Sequence, residues 1–193
     1  MTRRGKRIWA CVALLGLGWA GPGFGSQLPP GFVYLSEVAP DILQDMRYAG
    51  PDNFTGRKVP GYDAPQCILR REVAEALKQA QAELREQSLS LKVYDCYRPA
   101  RATRAFLKWI GDAAASGSKR YFPRTDKSTL HMQGFISPNS AHSRGVAVDL
   151  TLVRLPAAEQ PAFDRSARYG PCNGPAGDRA PDNALDKIGR AHV

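Results

Sequence analysis

Apolar residues recur along the middle of the chain with the periods of a helix, a strand and a second helix. Within residues 71–87 they are spaced as on one face of a helix, at Val73, Ala76, Leu77, Ala80 and Leu84. Residues 89–94 alternate between apolar and polar side chains, which predicts a half-buried strand. A Tyr-Arg-Pro sequence ends this strand, and Pro99 can start a helix that runs to about residue 110.

A second strand is predicted from residue 146 onward, where two sets of side chains alternate. One face carries Val146, Val148 and Leu150, and the other carries Ala147, Asp149 and Thr151. Residues 28–66 are rich in Pro, Gly, Asn and Asp and indicate loops, with a short helical candidate at residues 38–47. These patterns predict a single α+β domain with a small antiparallel sheet, helices packed on it and long loops.

The first 25 residues have the layout of a secretory signal peptide. Four basic residues precede the apolar run of residues 8–20, and small residues follow, so cleavage is expected after Gly25. An uncleaved anchor is the alternative, but a bilayer takes about 20 apolar residues and this run is shorter. Cys11 stands at the start of the run, which disfavours a lipoprotein anchor. We therefore expect an exported protein with no stable membrane association after cleavage.

Charge and length place the mature domain at residues 26–186. The formal net charge is +9, but four positive charges lie in the signal segment and two more on Lys187 and Arg190, which leaves +3 for the domain. A charge this small, with no basic run interleaved with aromatic residues, argues against a nucleic-acid partner. The length suits one domain with a real core.

Three cysteines remain after signal cleavage: Cys67, Cys96 and Cys172. In an oxidising compartment two of them are expected to pair. The sequence leaves all three pairings open, and the odd count indicates a free thiol or a missing partner.

The segment SAHSRGVAVD, residues 140–149, carries the chemistry best suited to a metal site. His142 can offer an imidazole nitrogen and Asp149 a carboxylate oxygen, a mixed donor set that zinc accepts. Gly145 allows a sharp turn before the strand, so that His142 can fold back toward Asp149. A surface turn with a solvated histidine and a capping aspartate is the alternative for an isolated His-Asp pair. The fuller pattern Ser-x-His-x-x-Gly-x-Ala-x-Asp favours the metal site.

Arg98 is the second candidate, because it lies where the first strand ends and the next helix begins. A guanidinium held there can stabilise an oxyanion formed when water attacks a peptide carbonyl. A salt-bridging structural arginine is the alternative. Tyr48 is a candidate for lining the same cleft, although a buried core contact explains it equally well. His131 is interpreted as a loop histidine rather than a ligand.

Three segments, DMRYAGPDNFTG, YDCYRPA and SAHSRGVAVDLTL, occur in this order along the chain. With them the sequence resembles the zinc-dependent D-alanyl-D-alanine dipeptidases of the vancomycin-resistance type, from about residue 33 to residue 186. The resemblance implies one Zn²⁺ per chain in a zinc D,D-peptidase fold, with His142 and Asp149 as two of its three protein ligands. It also implies that Arg98 stabilises the transition state and that Ser140 helps to hold the amino end of the substrate.

The resemblance implies that the dipeptide D-Ala-D-Ala is hydrolysed to free D-alanine in the periplasm. Zinc would activate the attacking water, a glutamate would shuttle the proton, and Arg98 would face the developing negative charge. Two alternatives remain open at this point. One is a D,D-carboxypeptidase that acts on peptidoglycan stem peptides, and the other is an inactive zinc-binding or peptidoglycan-binding fragment.

The resemblance also calls for a Glu-x-x-His motif that supplies the third ligand and the proton-shuttling glutamate. Residues 187–193 read KIGRAHV, and one frame of a common sequencing adapter encodes the last six of these residues. Position 189 is not acidic, so His192 is not a candidate ligand. We therefore predict a non-native tail at residues 187–193, and for the chain as it stands weak zinc binding and negligible activity.

Overall fold

The computed structural model describes residues 28–118, 121–122 and 126–157, together with the backbone of residues 189–192. Its strands are β1 (Phe32–Tyr34), β2 (Leu43–Gln44), β3 (Ile68–Arg70), β4 (Leu89–Asp95), β5 (Ala147–Arg154) and β6 (Gly189–His192). Its α-helices are α1 (Leu35–Val38), α2 (Arg71–Arg85) and α3 (Ala100–Gly111). Both long helices and both long strands lie where the hydrophobic pattern predicts them, and the α+β class is confirmed.

The main sheet has the strand order β2-β4-β5-β6, and β1 pairs with β3 in a separate antiparallel ribbon. Strands β4 and β5 run antiparallel, from Leu89 opposite Arg154 to Asp95 opposite Asp149. The short β2 runs parallel to β4, so the main sheet is mixed at this edge, where the sequence predicted an antiparallel one. The reason is the long connection through β3 and α2, which returns the chain in the same direction.

The principal core lies between α2 and one face of the main sheet. Val73, Ala74 and Leu77 of α2 are buried in one cluster with Val93 of β4 and Val148 of β5. Val73 and Leu77 belong to the predicted apolar face of the helix, and Val93 and Val148 to those of the strands. Ala76, which was predicted on the same helix face, is exposed. The apolar pattern thus predicts most of this core, because residues spaced at the period of a helix or a strand lie on one face of that element.

The opposite face of β4 is also buried, so the prediction of a half-buried strand was wrong. Ser90, Lys92 and Tyr94 are exposed by 1%, 6% and 8%. The segment that follows β2 covers Lys92 and Tyr94: Arg47 lies over the Tyr94 ring, with its Cζ atom 4.9 Å from the centroid. Ser90 is covered from the other side, where Gln81 Nε2 of α2 donates to its Oγ atom at 2.9 Å. Lys92 Nζ lies 3.1 Å from Asp45 Oδ2, so its charge is paired where it is buried.

The helix expected at residues 38–47 is not formed, and that prediction was wrong. Helix α1 ends at Val38, β2 follows, and residues Arg47–Ala49 form a 3₁₀ turn. Two causes act together. Pro40 disfavours a helical backbone at the residue before it, and β2 forms a parallel ladder with β4 that a sequence pattern does not reveal.

A second cluster of aromatic rings packs against the middle and the carboxyl-terminal half of α3. Tyr48 and Phe54 each pack on Phe106 of α3 with ring centroids 4.9 Å apart. Phe54 also contacts Trp109, at 5.2 Å. This packing fixes α3 against the loops of residues 48–62, and it therefore fixes the chain segment between β4 and α3.

The predicted signal segment and Cys172 lie outside the described residues. Part of the predicted tail forms β6, whose backbone pairs antiparallel with β5 so that Ala147 lies opposite His192. Across the described part of the chain, no helix has the length and apolar character needed to cross a membrane.

Candidate metal centre

His142 is presented by a tight turn that ends at Gly145. Residues Ala141–Arg144 form a 3₁₀ helix, and Gly145 adopts a left-handed backbone with a φ of +73°. The Gly145 N–H donates to the His142 carbonyl over 3.0 Å. A Cβ atom at this position would lie 2.4 Å from Cε1 of Phe32, so only glycine fits. The predicted sharp turn before the strand is confirmed.

The His142 ring is buried, and one hydrogen bond sets its chemistry. Nδ1 lies 2.9 Å from the carbonyl oxygen of Cys96. Because a carbonyl only accepts, Nδ1 must carry the proton, and in the neutral ring Nε2 keeps its lone pair. His142 thus has the tautomer that a metal ligand requires.

Asp149 lies on β5 and faces the Nε2 side of His142. Asp149 Oδ1 is 3.5 Å from His142 Nε2. Two donors bound to zinc at about 2.0–2.1 Å with a tetrahedral angle lie about 3.4 Å apart. The pair therefore fits two ligands of one zinc ion in both distance and donor type. The structure thus brings together the two residues that the SAHSRGVAVD motif predicted as ligands.

Asp95 completes a cluster in which one potential ligand atom each of Asp95, His142 and Asp149 lie within 4.8 Å of one another. Its position argues against direct ligation, because its Oδ2 atom lies 3.4 Å from Nδ1, the protonated nitrogen of His142. Both of its oxygens are also used: Oδ1 accepts from Tyr62 Oη at 2.6 Å and Oδ2 from Arg98. We assign Asp95 to positioning the ligand and the arginine.

Arg98 reaches the same site from the segment between β4 and α3. Its Nε and Nη2 atoms donate to Asp95 Oδ2 at 3.0 and 2.6 Å, and Nη2 lies 3.9 Å from Asp149 Oδ2. Burial acts to lower the pKa of Arg98, but the charge and hydrogen bonds of Asp95, together with Tyr48 and Tyr62, outweigh it, and the net pKa is raised. Arg98 therefore carries a permanent positive charge beside the two ligand candidates.

Tyr62 belongs to the site, although sequence reasoning did not select it. Burial and the nearby charge of Asp95 raise the pKa of Tyr62 well above its ordinary value, so its hydroxyl stays protonated and donates. Burial likewise raises the pKa of Asp95, while Arg98 opposes this shift. A lone Gly-Tyr-Asp sequence carries no signal for this role, because the pairing of Tyr62 with Asp95 spans 33 positions.

The remaining candidates take different positions. Ser140 directly precedes the 3₁₀ helix that carries His142, and its assignment to the substrate stays a prediction. Tyr48 packs in the aromatic cluster, and Arg98 Cζ lies 5.6 Å from its ring centroid. Tyr48 thus makes the core contact that the sequence left open, and its ring also lies beside Arg98 of the site. His131 lies in an exposed loop and its Nδ1 donates to Ile136 at 2.8 Å, which agrees with a loop histidine.

Comparison with known proteins matches most of the chain to one family. The D-Ala-D-Ala dipeptidase family of Peptidase M15 matches residues 29–160, a segment that contains Asp95, Arg98, His142 and Asp149. D-alanyl-D-alanine dipeptidases are among the similar curated proteins. The protein from Enterococcus faecium is 37% identical over 130 residues, which cover 67% of this chain and 64% of that protein.

Two further relatives carry the same name. The protein from Streptomyces coelicolor is 35% identical over 133 residues, covering 68% of this chain and 66% of its own length. The protein from Escherichia coli is 30% identical over 154 residues, covering 76% and 70%.

Within the α+β fold, His142, Asp149 and Arg98 lie together in one candidate metal centre. The chain belongs to the D-Ala-D-Ala dipeptidase family of Peptidase M15. It spans slightly less than two thirds of the length of the Enterococcus relatives.

Proposed function

We propose that the protein is a zinc dipeptidase that hydrolyses D-Ala-D-Ala to D-alanine. The observation that carries the proposal is the separation of 3.5 Å between His142 Nε2 and Asp149 Oδ1, beside the charged Arg98. An imidazole nitrogen and a carboxylate oxygen at this separation suit a zinc ion. Family membership and the names of the relatives supply the substrate.

The residues of the site have separate roles in the proposed reaction. His142 and Asp149 hold the metal, whose bound form supplies carbonyl polarisation and a more acidic attacking water. Arg98 uses two N–H groups on Asp95 Oδ2, and further N–H groups of the guanidinium can then face a developing oxyanion. Asp95 and Tyr62 hold Arg98 in place. The third ligand and the proton-shuttling glutamate are not assigned to any residue of this chain.

We also propose that the protein is exported and works in the periplasm. The basic and apolar pattern of residues 1–25 supports export. The disulfide between Cys67 and Cys96 supports an oxidising compartment. Fractionation of cells that express the tagged full chain tests this: recovery of an unprocessed protein in the cytosol would contradict it.

The substrate is tested by comparing D-Ala-D-Ala with an acylated stem peptide that ends in D-Ala-D-Ala. Both the 193-residue chain and the reading frame taken from genomic DNA are assayed with zinc, and released D-alanine is measured. We expect turnover of D-Ala-D-Ala to exceed that of the acylated peptide. Hydrolysis of the acylated peptide alone would instead establish a D,D-carboxypeptidase.

The role of Arg98 is tested by the variant Arg98→Lys, made in whichever of these two proteins hydrolyses D-Ala-D-Ala. Lysine keeps the charge but lacks the planar set of donors, so we expect kcat to fall by about 10²–10³-fold with a smaller change in KM. Arg101→Lys is the matched control, because Arg101 lies only three residues further along the chain, in the first turn of α3, and pairs with the exposed Asp63 at 2.6 Å. An unchanged kcat in Arg98→Lys would remove the oxyanion role.

A further inference from the structure

A disulfide lies directly behind the candidate metal centre. Cys67, just before β3, is bonded to Cys96, just after β4, across 29 positions of sequence. Both residues are buried, at 1% and 0% exposure. The bond therefore joins the β1–β3 ribbon to the segment that connects the main sheet to Arg98.

The backbone of the segment from Cys96 to Arg98 makes direct contact with His142. The Cys96 carbonyl accepts the Nδ1 proton of His142 at 2.9 Å, and the Arg98 N–H donates to the His142 carbonyl at 3.1 Å. The Cys96 N–H donates to Asp95 Oδ1 at 3.0 Å. The histidine ring and its main chain are thus both held by the residues around one half of the disulfide.

The segment from Cys96 to Arg98 lies beyond the last residue of β4 that pairs in the main sheet. Strand β4 ends at Asp95, and the ladder with β5 is already irregular between Val93 and Asp95. Beyond that point the Tyr97 N–H donates to the Ile68 carbonyl at 2.9 Å, which again ties the segment to β3. The disulfide and this hydrogen bond therefore both connect the segment from Cys96 to Arg98 to the start of β3, at Cys67 and Ile68.

The other half of the disulfide is itself anchored. The Cys67 N–H donates to Gln44 Oε1 at 3.0 Å, and the Cys67 carbonyl accepts the Leu35 N–H at 2.9 Å. Cys67 is thus held by β2 and α1, and any displacement of Cys96 is resisted by the core rather than by a loop.

We propose that the Cys67–Cys96 disulfide is a positioning element of the metal centre. It fixes the Cys96 carbonyl, and this carbonyl fixes the tautomer and the orientation of His142. A group that orients a metal-binding histidine affects metal affinity by about 10–100-fold. This inference rests on the proposed zinc site, and it assigns the two cysteines a role beyond general stability.

The main test is the double variant Cys67→Ala/Cys96→Ala of the 193-residue chain. Both cysteines are replaced because a lone thiol could itself bind zinc. Apparent zinc affinity is measured by competition with a chromophoric chelator, and we expect it to fall by at least about tenfold. Zinc affinity equal to that of the wild type would overturn the positioning role.

Leu77→Ala is the matched control for lost stability. Leu77 lies on α2, in the same core cluster as both cysteines. We expect its Tm to fall as well, because a buried side chain is truncated, but its zinc affinity to stay at the wild-type value. An equal loss of zinc affinity in this control would show that the disulfide acts only through global stability.

A second measurement needs no zinc and separates this inference from the proposed function. In metal-free protein we expect the Tyr97 and Arg98 amides to exchange with solvent more than about tenfold faster in the double variant than in Leu77→Ala. Failure of the wild type to bind zinc would defeat the proposed site, whereas unchanged exchange at these amides would defeat the positioning role.

If the double variant does not fold, the Cys67–Cys96 disulfide of the wild-type protein is reduced chemically instead. A phosphine transfers two electrons to the disulfide and becomes the phosphine oxide with an oxygen from water, and each sulfur gains a proton. The same two amides are then followed by exchange. Protection equal to that of the oxidised protein would overturn the proposal.

Discussion

At the scale of single residues, the site depends on which nitrogen of His142 carries the proton. The Cys96 carbonyl decides this by accepting from Nδ1, and Asp149 then faces the other nitrogen at 3.5 Å. The buried charges near them are paired, since Asp95 accepts from both Arg98 and Tyr62. An unpaired charge at this depth would cost several kcal/mol, so each partner has a measurable effect.

Asp149→Asn tests the ligand assignment. Asparagine keeps the shape of the side chain but removes its charge, so we expect zinc affinity of the 193-residue chain to fall at least about tenfold. Asp63→Asn is the control, because its side chain is 79% exposed and pairs with Arg101, whose side chain is also exposed. Equal zinc affinity in both variants would exclude Asp149 as a ligand.

Tyr62→Phe tests the support of Asp95. The variant removes the hydroxyl that donates to Asp95 Oδ1 at 2.6 Å. Because this hydrogen bond is buried and its acceptor is charged, we expect the free energy of unfolding to fall by about 1.5–3 kcal/mol. Urea denaturation with an unchanged m-value measures the loss. A loss below about 0.5 kcal/mol would contradict the pairing.

At the scale of elements, two strands and one turn bring the site together. The pairing of β4 with β5 places Asp95 opposite Asp149, and the 3₁₀ helix that precedes β5 returns His142 to the same point. Gly145 joins that helix to β5 in a left-handed conformation. The geometry of the ligands therefore depends on a single backbone position that carries no functional group.

Gly145→Ala tests that position. The added methyl group would meet Phe32 at 2.4 Å, and the positive φ is unfavourable for alanine, so we expect a loss of about 1–3 kcal/mol in stability and weaker zinc binding. Gly50→Ala is the control, because nothing lies within 4 Å of its Cβ position. We expect that variant to stay within about 0.5 kcal/mol of the wild type by urea denaturation.

At the scale of the whole molecule, zinc and folding are coupled. The ligand pair joins β5 of the main sheet to the 3₁₀ helix that precedes it, and a metal that binds only the folded chain stabilises it. Zinc at about 100 times its dissociation constant is expected to raise the Tm by about 5–10 °C. Scanning calorimetry with zinc, with Mg²⁺ and after chelation measures this effect. A Tm that zinc does not change would argue against a metal site.

The sequence by itself determined the long elements and the two ligand candidates. Helix α2, helix α3, β4 and β5 follow from local periods, and His142 and Asp149 lie within one short motif that also contains the required Gly145. Such features depend on neighbours within a few positions of sequence, where backbone geometry alone decides which side chains share a face. The family followed from three such motifs.

Only the tertiary structure decided the rest of the site. The parallel pairing of β2, the burial of the second face of β4, the bond between Cys67 and Cys96 and the contact of Tyr62 with Asp95 all join distant positions. Contacts of this kind depend on how whole faces pack, and a local pattern does not encode the partner. The motif could therefore name the ligands, while the residues that orient them became visible only in the folded chain.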